Sequence, residues 1–210
     1  MVAYLFQGQY ELFALLIIAI ILSLSCHEFG HAWVAKLQGD RTAEQAGRLT
    51  LNPLAHVDAL GLLMVVMVGF GYAKPVPTDP RNFSSAYSTL WVAAAGPAMN
   101  LVLAFICINV LAYLGATGSL TEGTQAFLII MASINMLLML FNLIPLGPLD
   151  GHYILPYFLP RALSRAYLVL NHRWGTFALL ALIVLAIMGL PIFSALMGFA
   201  QFLLSFLVVI

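Results

Sequence analysis

The sequence predicts an all-α polytopic membrane protein with about five transmembrane helices and a small re-entrant or interfacial β element. Of its 210 residues, 63% are hydrophobic and only 8% are charged. The mean hydropathy is +1.02. Soluble domains average roughly 25% charged residues, so this chain cannot cover a surface that faces water. Its length fits one membrane-embedded domain over residues 1–210.

The apolar runs define the predicted helices, because a spanning helix needs about 20 mostly apolar residues. Three long runs and two shorter ones separated by Pro191 meet or approach this length. The predicted helices are residues 12–37, 89–114, 124–146, 176–190 and 193–210. We therefore divide the domain into a core, residues 12–155, and C-terminal helices, residues 174–210.

Residues 60–72 are apolar, but a run of about 13 residues is too short to cross the hydrocarbon. The glycines on either side of Phe70 favour a hairpin turn. We expect a re-entrant or interfacial β element here. Residues 74–85 contain three prolines and predict an extended loop. Residues 160–173 are polar and basic, so we expect them to lie outside the hydrocarbon.

The basic residues predict the orientation, because cytoplasmic loops are enriched in lysine and arginine. If residues 60–72 do not cross, all eight basic residues lie on one side, whereas a crossing would split them three against five. We therefore predict a multi-pass protein of the plasma or inner membrane, with these residues in the cytoplasm and the N-terminus outside. The eight are Lys36, Arg41, Arg48, Lys74, Arg81, Arg161, Arg165 and Arg173. The net charge of zero gives no indication of a nucleic-acid partner.

The segment His27-Glu28-Phe29-Gly30-His31 has the pattern H-E-x-x-H. On a helix, positions i and i+4 share one face, where two imidazoles can bind one zinc ion. Glu28 is rotated by about 100° from His27 and can reach a water on the zinc. Zinc lowers the pKa of that water toward ~7, and the glutamate takes its proton for attack on a carbonyl. The motif predicts a hydrolytic zinc site, with Glu28 as the catalytic base.

A chance match is the alternative, since a motif with two free positions recurs in unrelated chains. The surroundings argue against it. A charged group within a membrane costs about 2.5–3.5 kcal/mol, so ionisable side chains in an apolar run are rarely without function.

A catalytic zinc ion usually has three protein ligands and one open position. Asp150 is the best candidate for the third, because it is the only carboxylate in residues 123–210 and follows a span that ends on the side of the H-E-x-x-H motif. The glycines and prolines around it permit an unwound backbone that turns a carboxylate inward. Its alternative role is a turn residue beside Gly151. The other candidates are His56, Asp58, His152, His172, Asp40, Glu44, Glu11, Asp79 and Glu122.

Further motifs follow in a fixed order. They are Asn52-Pro53-Leu54-Ala55-His56, Gly71-Tyr72-Ala73-Lys74-Pro75-Val76-Pro77, Ala95-Gly96-Pro97-Ala98-Met99-Asn100, Asn142-Leu143-Ile144-Pro145 and Leu149-Asp150-Gly151. Together with H-E-F-G-H, they resemble the site-2 protease family of intramembrane zinc metalloproteases. The resemblance covers residues 23–153 and is to the short bacterial and archaeal type. We see no stretch for a PDZ domain or a CBS pair, and no span before the H-E-x-x-H helix.

This resemblance implies a zinc metalloendopeptidase with one zinc ion per chain, acting on peptide bonds within or near transmembrane segments. It implies Asp150 as the third zinc ligand. It also implies a catalytic core of three helices, which carry the H-E-x-x-H, Gly-Pro-x-x-Asn and Leu-Asp-Gly motifs. The expected partners are a transmembrane protein or peptide substrate and the lipid bilayer; a homo-oligomer is compatible with the sequence.

Several supporting residues have more than one possible role. The resemblance implies that Asn142 binds the substrate backbone or the oxyanion, whereas the alternative is an interhelical hydrogen bond. His56 is a second candidate for substrate binding. The alternatives are that it supports a metal ligand through a hydrogen bond, binds the metal transiently or lies at the membrane interface. Asn100, with Gly96 and Pro97, is predicted to support helix packing.

Residues 62–68 and 72–76 can present an edge strand to an unwound substrate, or form a lipid-facing interfacial element instead. Three other functions compete with the protease. A zinc transporter would need polar residues along a whole pathway, and the outer halves of the predicted helices offer almost none. An inactive relative would usually lose Glu28 or a ligand. A CAAX-type zinc protease shares H-E-x-x-H, but the Leu-Asp-Gly context favours the site-2 family.

Overall fold

The computed structural model describes residues 1–69 and 71–209. In these ranges the chain is helical and forms no β-strand. The helices are α1 (Val2–Phe6), α2 (Tyr10–Leu37), α3 (Thr42–Gln45), α4 (Ala59–Val68), α5 (Ser88–Ala116), α6 (Glu122–Asn142), α7 (Asp150–Ile154), α8 (Arg161–Ile187) and α9 (Ile192–Leu207). Short 3₁₀ turns lie at Pro53–Ala55, Pro80–Asn82 and Leu155–Phe158.

Four of the helices that the structure describes, α2, α5, α6 and α8, are long and apolar enough to cross a membrane. The shortest, α6, has 21 residues, which corresponds to about 31 Å at 1.5 Å per residue. The last helix, α9, has 16 residues and falls below the length of a span. The structure therefore contains four candidate spans where the apolar runs predicted about five.

The difference in number arises at α9, which is too short to span. The helix before it, α8, is longer than predicted, because it begins at Arg161 rather than near residue 176 and takes in the basic residues 161–173. Arginine stems can lie along apolar surface while their charged groups reach water, so basic residues near one end do not stop a membrane helix. Pro160 directly precedes the helix, where its missing N–H is not needed.

The β element predicted at residues 60–72 is wrong over most of its length, because residues 59–68 form α4. The local cause is capping at both ends. The carboxylate of Asp58 accepts a hydrogen bond from the N–H of Gly61 at 2.9 Å, and Gly69 ends the helix with a φ of +83°, in the left-handed region that suits glycine. The predicted turn at Phe70 lies outside the described residues. Ten residues extend only about 15 Å, so α4 does not cross the hydrocarbon.

After α4 the chain returns along the helix at very short range. A methyl group on Gly61 would collide with the carbonyl of Tyr72, and one on Gly71 would collide with the carbonyl of Gly61. The following segment, residues 71–79, has no regular secondary structure. The N–H of Lys74 donates to the carbonyl of His56 at 2.8 Å. These contacts bring residues 74–77 back toward α2.

At the centre of the bundle, α5 packs against both α2 and α6. Small side chains permit the close approach: a methyl group on Gly30 would lie 2.6 Å from Cγ of Met99. Such contacts drive helix association in membranes, where apolar side chains gain little by leaving lipid. The buried polar residues Ser23, Asn100 and Asn135 are 0% exposed at this crossing. The site described below is built on them.

We expect α4 and residues 71–79 to lie on the side of the membrane where α2 ends. In a variant with Cys26→Ser and Cys107→Ser, a single cysteine at exposed Gln45 or Thr78 should react with an impermeant thiol reagent from the same side of sealed vesicles. A cysteine at exposed Ser119, between α5 and α6, should react only from the other side. Labelling of Gln45→Cys and Thr78→Cys from opposite sides would show that α4 crosses.

Candidate metal centre

Three side chains from two distant parts of the chain meet inside the helix bundle. His27 and His31 lie one turn apart on α2, with their Nε2 atoms 3.0 Å from each other. Oδ2 of Asp150 is 3.2 Å from Nε2 of His27, and Oδ1 is 3.4 Å from Nε2 of His31. Across residues 1–69 and 71–209, this is the group of histidine, cysteine and acidic side chains whose ligand atoms fit a metal, all within 4.8 Å of one another.

The second nitrogen of His31 determines which atom faces the cluster. Its Nδ1 is 2.7 Å from the backbone carbonyl of Val92 on α5. A carbonyl oxygen only accepts hydrogen bonds, so Nδ1 must carry the proton. In the neutral imidazole, Nε2 of His31 therefore presents a lone pair to the cluster.

A longer relay gives the same result for His27. The side-chain amide of Asn135 donates to the carbonyl of Met131 at 2.9 Å and to Oγ of Ser23 at 2.8 Å. The oxygen of Asn135 accepts from the amide nitrogen of Asn100 at 2.8 Å. This leaves Oδ1 of Asn100 to accept from Nδ1 of His27 at 2.6 Å. His27 is thus protonated on Nδ1, and its Nε2 also presents a lone pair.

When both imidazoles are neutral, the cluster consequently contains acceptors and no donor. Oδ2 of Asp150 is buried and makes no hydrogen bond, although it lies 3.2 Å from Nε2 of His27. Two lone pairs and a carboxylate that face one another in an apolar interior are unfavourable unless a cation lies between them. Two imidazole nitrogens and one carboxylate are a ligand set of catalytic zinc sites. The side chains present therefore fit a zinc ion.

Gly96 on α5 packs directly against the two ring nitrogens of the cluster. A methyl group there would lie 2.6 Å from Nε2 of His27 and closer still to Nε2 of His31. The neighbouring Pro97 is buried inside the same helix. Gly96 is thus needed for the site itself, beyond the helix packing that the sequence predicted for it.

Glu28 lies next to His27 on α2 and joins the motif to residues 71–79. Its Oε2 accepts a hydrogen bond from the N–H of Val76 at 3.1 Å. The guanidinium of Arg48 donates to the carbonyl of Lys74. The backbone of this proline-rich segment is thereby held beside the carboxylate of Glu28.

The structure does not bring His56 into the metal-binding group. His56 is 1% exposed, and its Nε2 is 2.8 Å from the carbonyl of Thr50. Asn142 donates its side-chain amide to the carbonyl of Leu138 in its own helix at 3.0 Å. A role of either residue in substrate binding stays a prediction.

A buried carboxylate, Asp40, fastens the polar segment after α2 to the segment before α5. It accepts hydrogen bonds from the hydroxyl and N–H of Thr42, the N–H of Asp79 and the side chain of Asn82. Burial acts to raise the pKa of Asp40, but these hydrogen bonds outweigh burial and lower it. The carboxylate stays ionised at neutral pH, and its contribution to stability is lost as the pH falls through its lowered pKa.

Sequence reasoning did not identify Asn135, Ser23 or the carbonyls of Val92 and Met131 as parts of the site. Asn135 had a detectable signal, since a polar side chain inside an apolar membrane run is rarely without function. The carbonyls had none, because every residue carries one and only the helix packing selects which of them meets a histidine.

Comparisons with known proteins agree with the site. The model of peptidase family M50 matches residues 15–119 and 115–186. The protein YwhC of Bacillus subtilis, provisionally named a zinc metalloprotease, is 39% identical over 175 residues, covering 80% of each chain. Rip2 of Mycolicibacterium smegmatis, with the same provisional name, is 32% identical over 181 residues, covering 82% of this chain and 67% of the relative. No solved structure matches significantly.

We expect Gly96→Ala to lower the zinc content of the purified protein by about tenfold or more, because the added methyl takes the space against both Nε2 atoms. The measurement is elemental analysis of the metal after purification in zinc. Gly115→Ala is the matched control, since it lies on the same helix with nothing within 4 Å of the new methyl. Full zinc content in Gly96→Ala would contradict this placement of the ion.

Asn100→Ala should weaken zinc binding about 10–100-fold, because His27 loses the partner that sets its tautomer and ring orientation. Asn135→Ala, one step further along the relay, should have a smaller effect. The zinc dissociation constant is measured by competition with a chelator of known affinity. Equal affinities in both variants and the parent would mean that the relay does not orient His27.

Proposed function

Because the chain belongs to peptidase family M50, it is a zinc metallopeptidase of the membrane, and we propose that it hydrolyses peptide bonds within or near transmembrane segments of other membrane proteins. We propose His27, His31 and Asp150 as the ligands of one zinc ion per chain. The observation that carries this proposal is the convergence of their ligand atoms, all within 4.8 Å of one another, in a bundle of membrane-length helices.

When bound there, zinc supplies a Lewis acid that polarises the scissile carbonyl and makes water acidic enough to attack at neutral pH. The residues of the chain orient the two imidazoles. Asn100 and the carbonyl of Val92 hold the two imidazoles with their lone pairs inward. Nothing in these two hydrogen bonds has to change during turnover, so the ligand nitrogens are preorganised.

Glu28 is the proposed general base. Because Glu28 directly follows His27 on α2, it can take a proton from the attacking water and return it to the departing amine. The hydrogen bond from the N–H of Val76 holds one of its oxygens at 3.1 Å.

The substrate of such a site must lose helical structure before cleavage, since the peptide bonds of a membrane helix are hydrogen-bonded within the helix. Residues 71–79 have no regular secondary structure, and Val76 in this segment contacts Glu28. We propose that the unwound substrate segment passes along this side of the site. Asn142 and His56 remain the candidates for contacts to its backbone.

We propose that the site faces the cytoplasm and that the N-terminus lies outside. Support comes from the eight basic residues, which lie in the last turn of α2, between α2 and α5, or in the first half of α8. An even number of crossings joins these regions when α4 does not span, so they share one side.

Glu28→Gln should leave zinc bound and abolish cleavage, because the amide keeps the shape of the side chain but cannot accept the proton. The measurements are zinc content and cleavage of a membrane-tethered reporter in vesicles. Glu11→Gln, at the exposed start of α2, is the control and should cut at the parental rate. Unimpaired cleavage by Glu28→Gln would exclude Glu28 as the base.

A further inference from the structure

We propose that Asn171, on α8, is a positioning residue for the metal centre, because it holds the turn that carries Asp150. The proposal rests on the zinc site proposed above. It extends that site to the fourth span, which lies outside the three helices of the predicted catalytic core.

The amide of Asn171 binds the backbone on both sides of one residue, Gly147. The N–H of Gly147 donates to Oδ1 at 3.1 Å, and Nδ2 donates to the carbonyl of Gly147 at 3.2 Å. Nδ2 also lies 2.7 Å from Nδ1 of His152. Since the N–H of Gly147 identifies the oxygen of the amide, Nδ2 is the donor to His152. Asn171 therefore forms hydrogen bonds with Gly147, three residues before Asp150, and with His152, two residues after it.

A second contact from α8 holds the same turn. The hydroxyl of Tyr167, one helical turn before Asn171, donates to the carbonyl of Pro145 at 3.0 Å. Its oxygen is also 3.2 Å from Nδ1 of His152. Two side chains on one face of α8 thus bind residues 145, 147 and 152, which bracket Asp150 along the chain.

The turn needs such support because it has little stability of its own. Asp150 opens α7, a helix of only five residues without a side-chain cap, and a helix this short is unstable by itself. Gly147 has a φ of +58° and is buried, so the backbone leaves regular helix geometry just before the ligand. The two histidines, in contrast, lie within a helix of 28 residues.

The burial of Asn171 points the same way. It is 7% exposed in a membrane-length helix, where an amide is costly unless its donors and acceptor are paired. All of the pairing that the structure records for its side chain goes to the turn that carries Asp150. A residue that only packed α8 against the bundle would not need this arrangement.

The test compares Asn171→Ala with Asn109→Ala. Asn109 is a matched control, because its amide also forms two hydrogen bonds with backbone groups. Nδ2 donates to the carbonyl of Leu207 and Oδ1 accepts from the N–H of Val209, both at 2.9 Å. That clamp joins α5 to the end of α9 and involves none of the three proposed ligands. Both variants are purified in detergent, and their zinc dissociation constants are measured by chelator competition.

We expect Asn171→Ala to raise the zinc dissociation constant about tenfold or more, in the range found for residues that orient metal ligands, while Asn109→Ala leaves it unchanged. In the zinc-free protein, backbone amides of residues 147–152 should exchange with solvent faster in Asn171→Ala than in Asn109→Ala. A general loss of stability would not produce either difference if the two variants unfold at similar temperatures.

The proposal is overturned if Asn171→Ala binds zinc as tightly as Asn109→Ala and the parent. If Asn171→Ala does not fold, Tyr167→Phe decides, since it removes only the hydroxyl: a weaker zinc affinity supports the proposal and an unchanged one overturns it. The parent and His31→Ala separate this result from the zinc site itself. A parent that binds no zinc, or a His31→Ala variant that binds it normally, contradicts the proposed site whatever Asn171 does.

Discussion

The site depends on one physical constraint: two imidazole nitrogens and a carboxylate face one another in the protein interior, and neutral imidazoles held in these tautomers place no proton among them. Backbone carbonyls at Val92 and Met131 impose it, because a carbonyl can only accept. Each carbonyl fixes the direction of the hydrogen bonds that lead from it to a histidine. In surroundings of low polarity, the resulting cluster of lone pairs favours a bound cation. The helices that carry the relay must therefore be held at fixed distances.

Small residues set those distances. Gly30 lets α5 approach α2, and Gly96 leaves room beside both Nε2 atoms at the same crossing. Lipid tails are as apolar as leucine, so membrane helices gain association energy from close contact and hydrogen bonds rather than from leaving water. The buried amides of Asn100 and Asn135 supply both support for His27 and attraction between α5 and α6. Helix packing and ligand orientation are in this way one set of interactions.

The third proposed ligand is held differently from the first two. His27 and His31 inherit their geometry from a long helix, whereas Asp150 stands at the start of a five-residue helix after an irregular turn. Contacts from α8 take the place of regular secondary structure there. On the other side of the motif, the N–H of Val76 donates to Glu28 from a segment without regular secondary structure. Rigid helices thus carry two ligands, while loops braced by neighbouring helices present the remaining groups.

The sequence by itself determined the membrane setting, the pairing of His27 with His31 and the choice of Asp150 as their partner. Composition, helical periodicity and the cost of burying charge act locally, so they can be read along the chain. It predicted β structure at residues 60–72 and a separate polar stretch at 160–173, because short apolar runs and interfacial arginines fit more than one conformation. In the structure, caps at Asp58 and Gly69 bound a helix in the first region. In the second region, α8 continues through the basic residues.

Only the tertiary structure revealed the hydrogen-bond relay through Asn135 and the hydrogen bonds of Asn171 to the turn before Asp150. Val92 shows the reason most plainly. Its carbonyl is like any other in the sequence, and it becomes part of the site only because α5 passes α2 at the depth of His31. Hydrogen bonds between helices depend on which groups packing brings within about 3 Å. That selection is made by the whole bundle and by no segment within it.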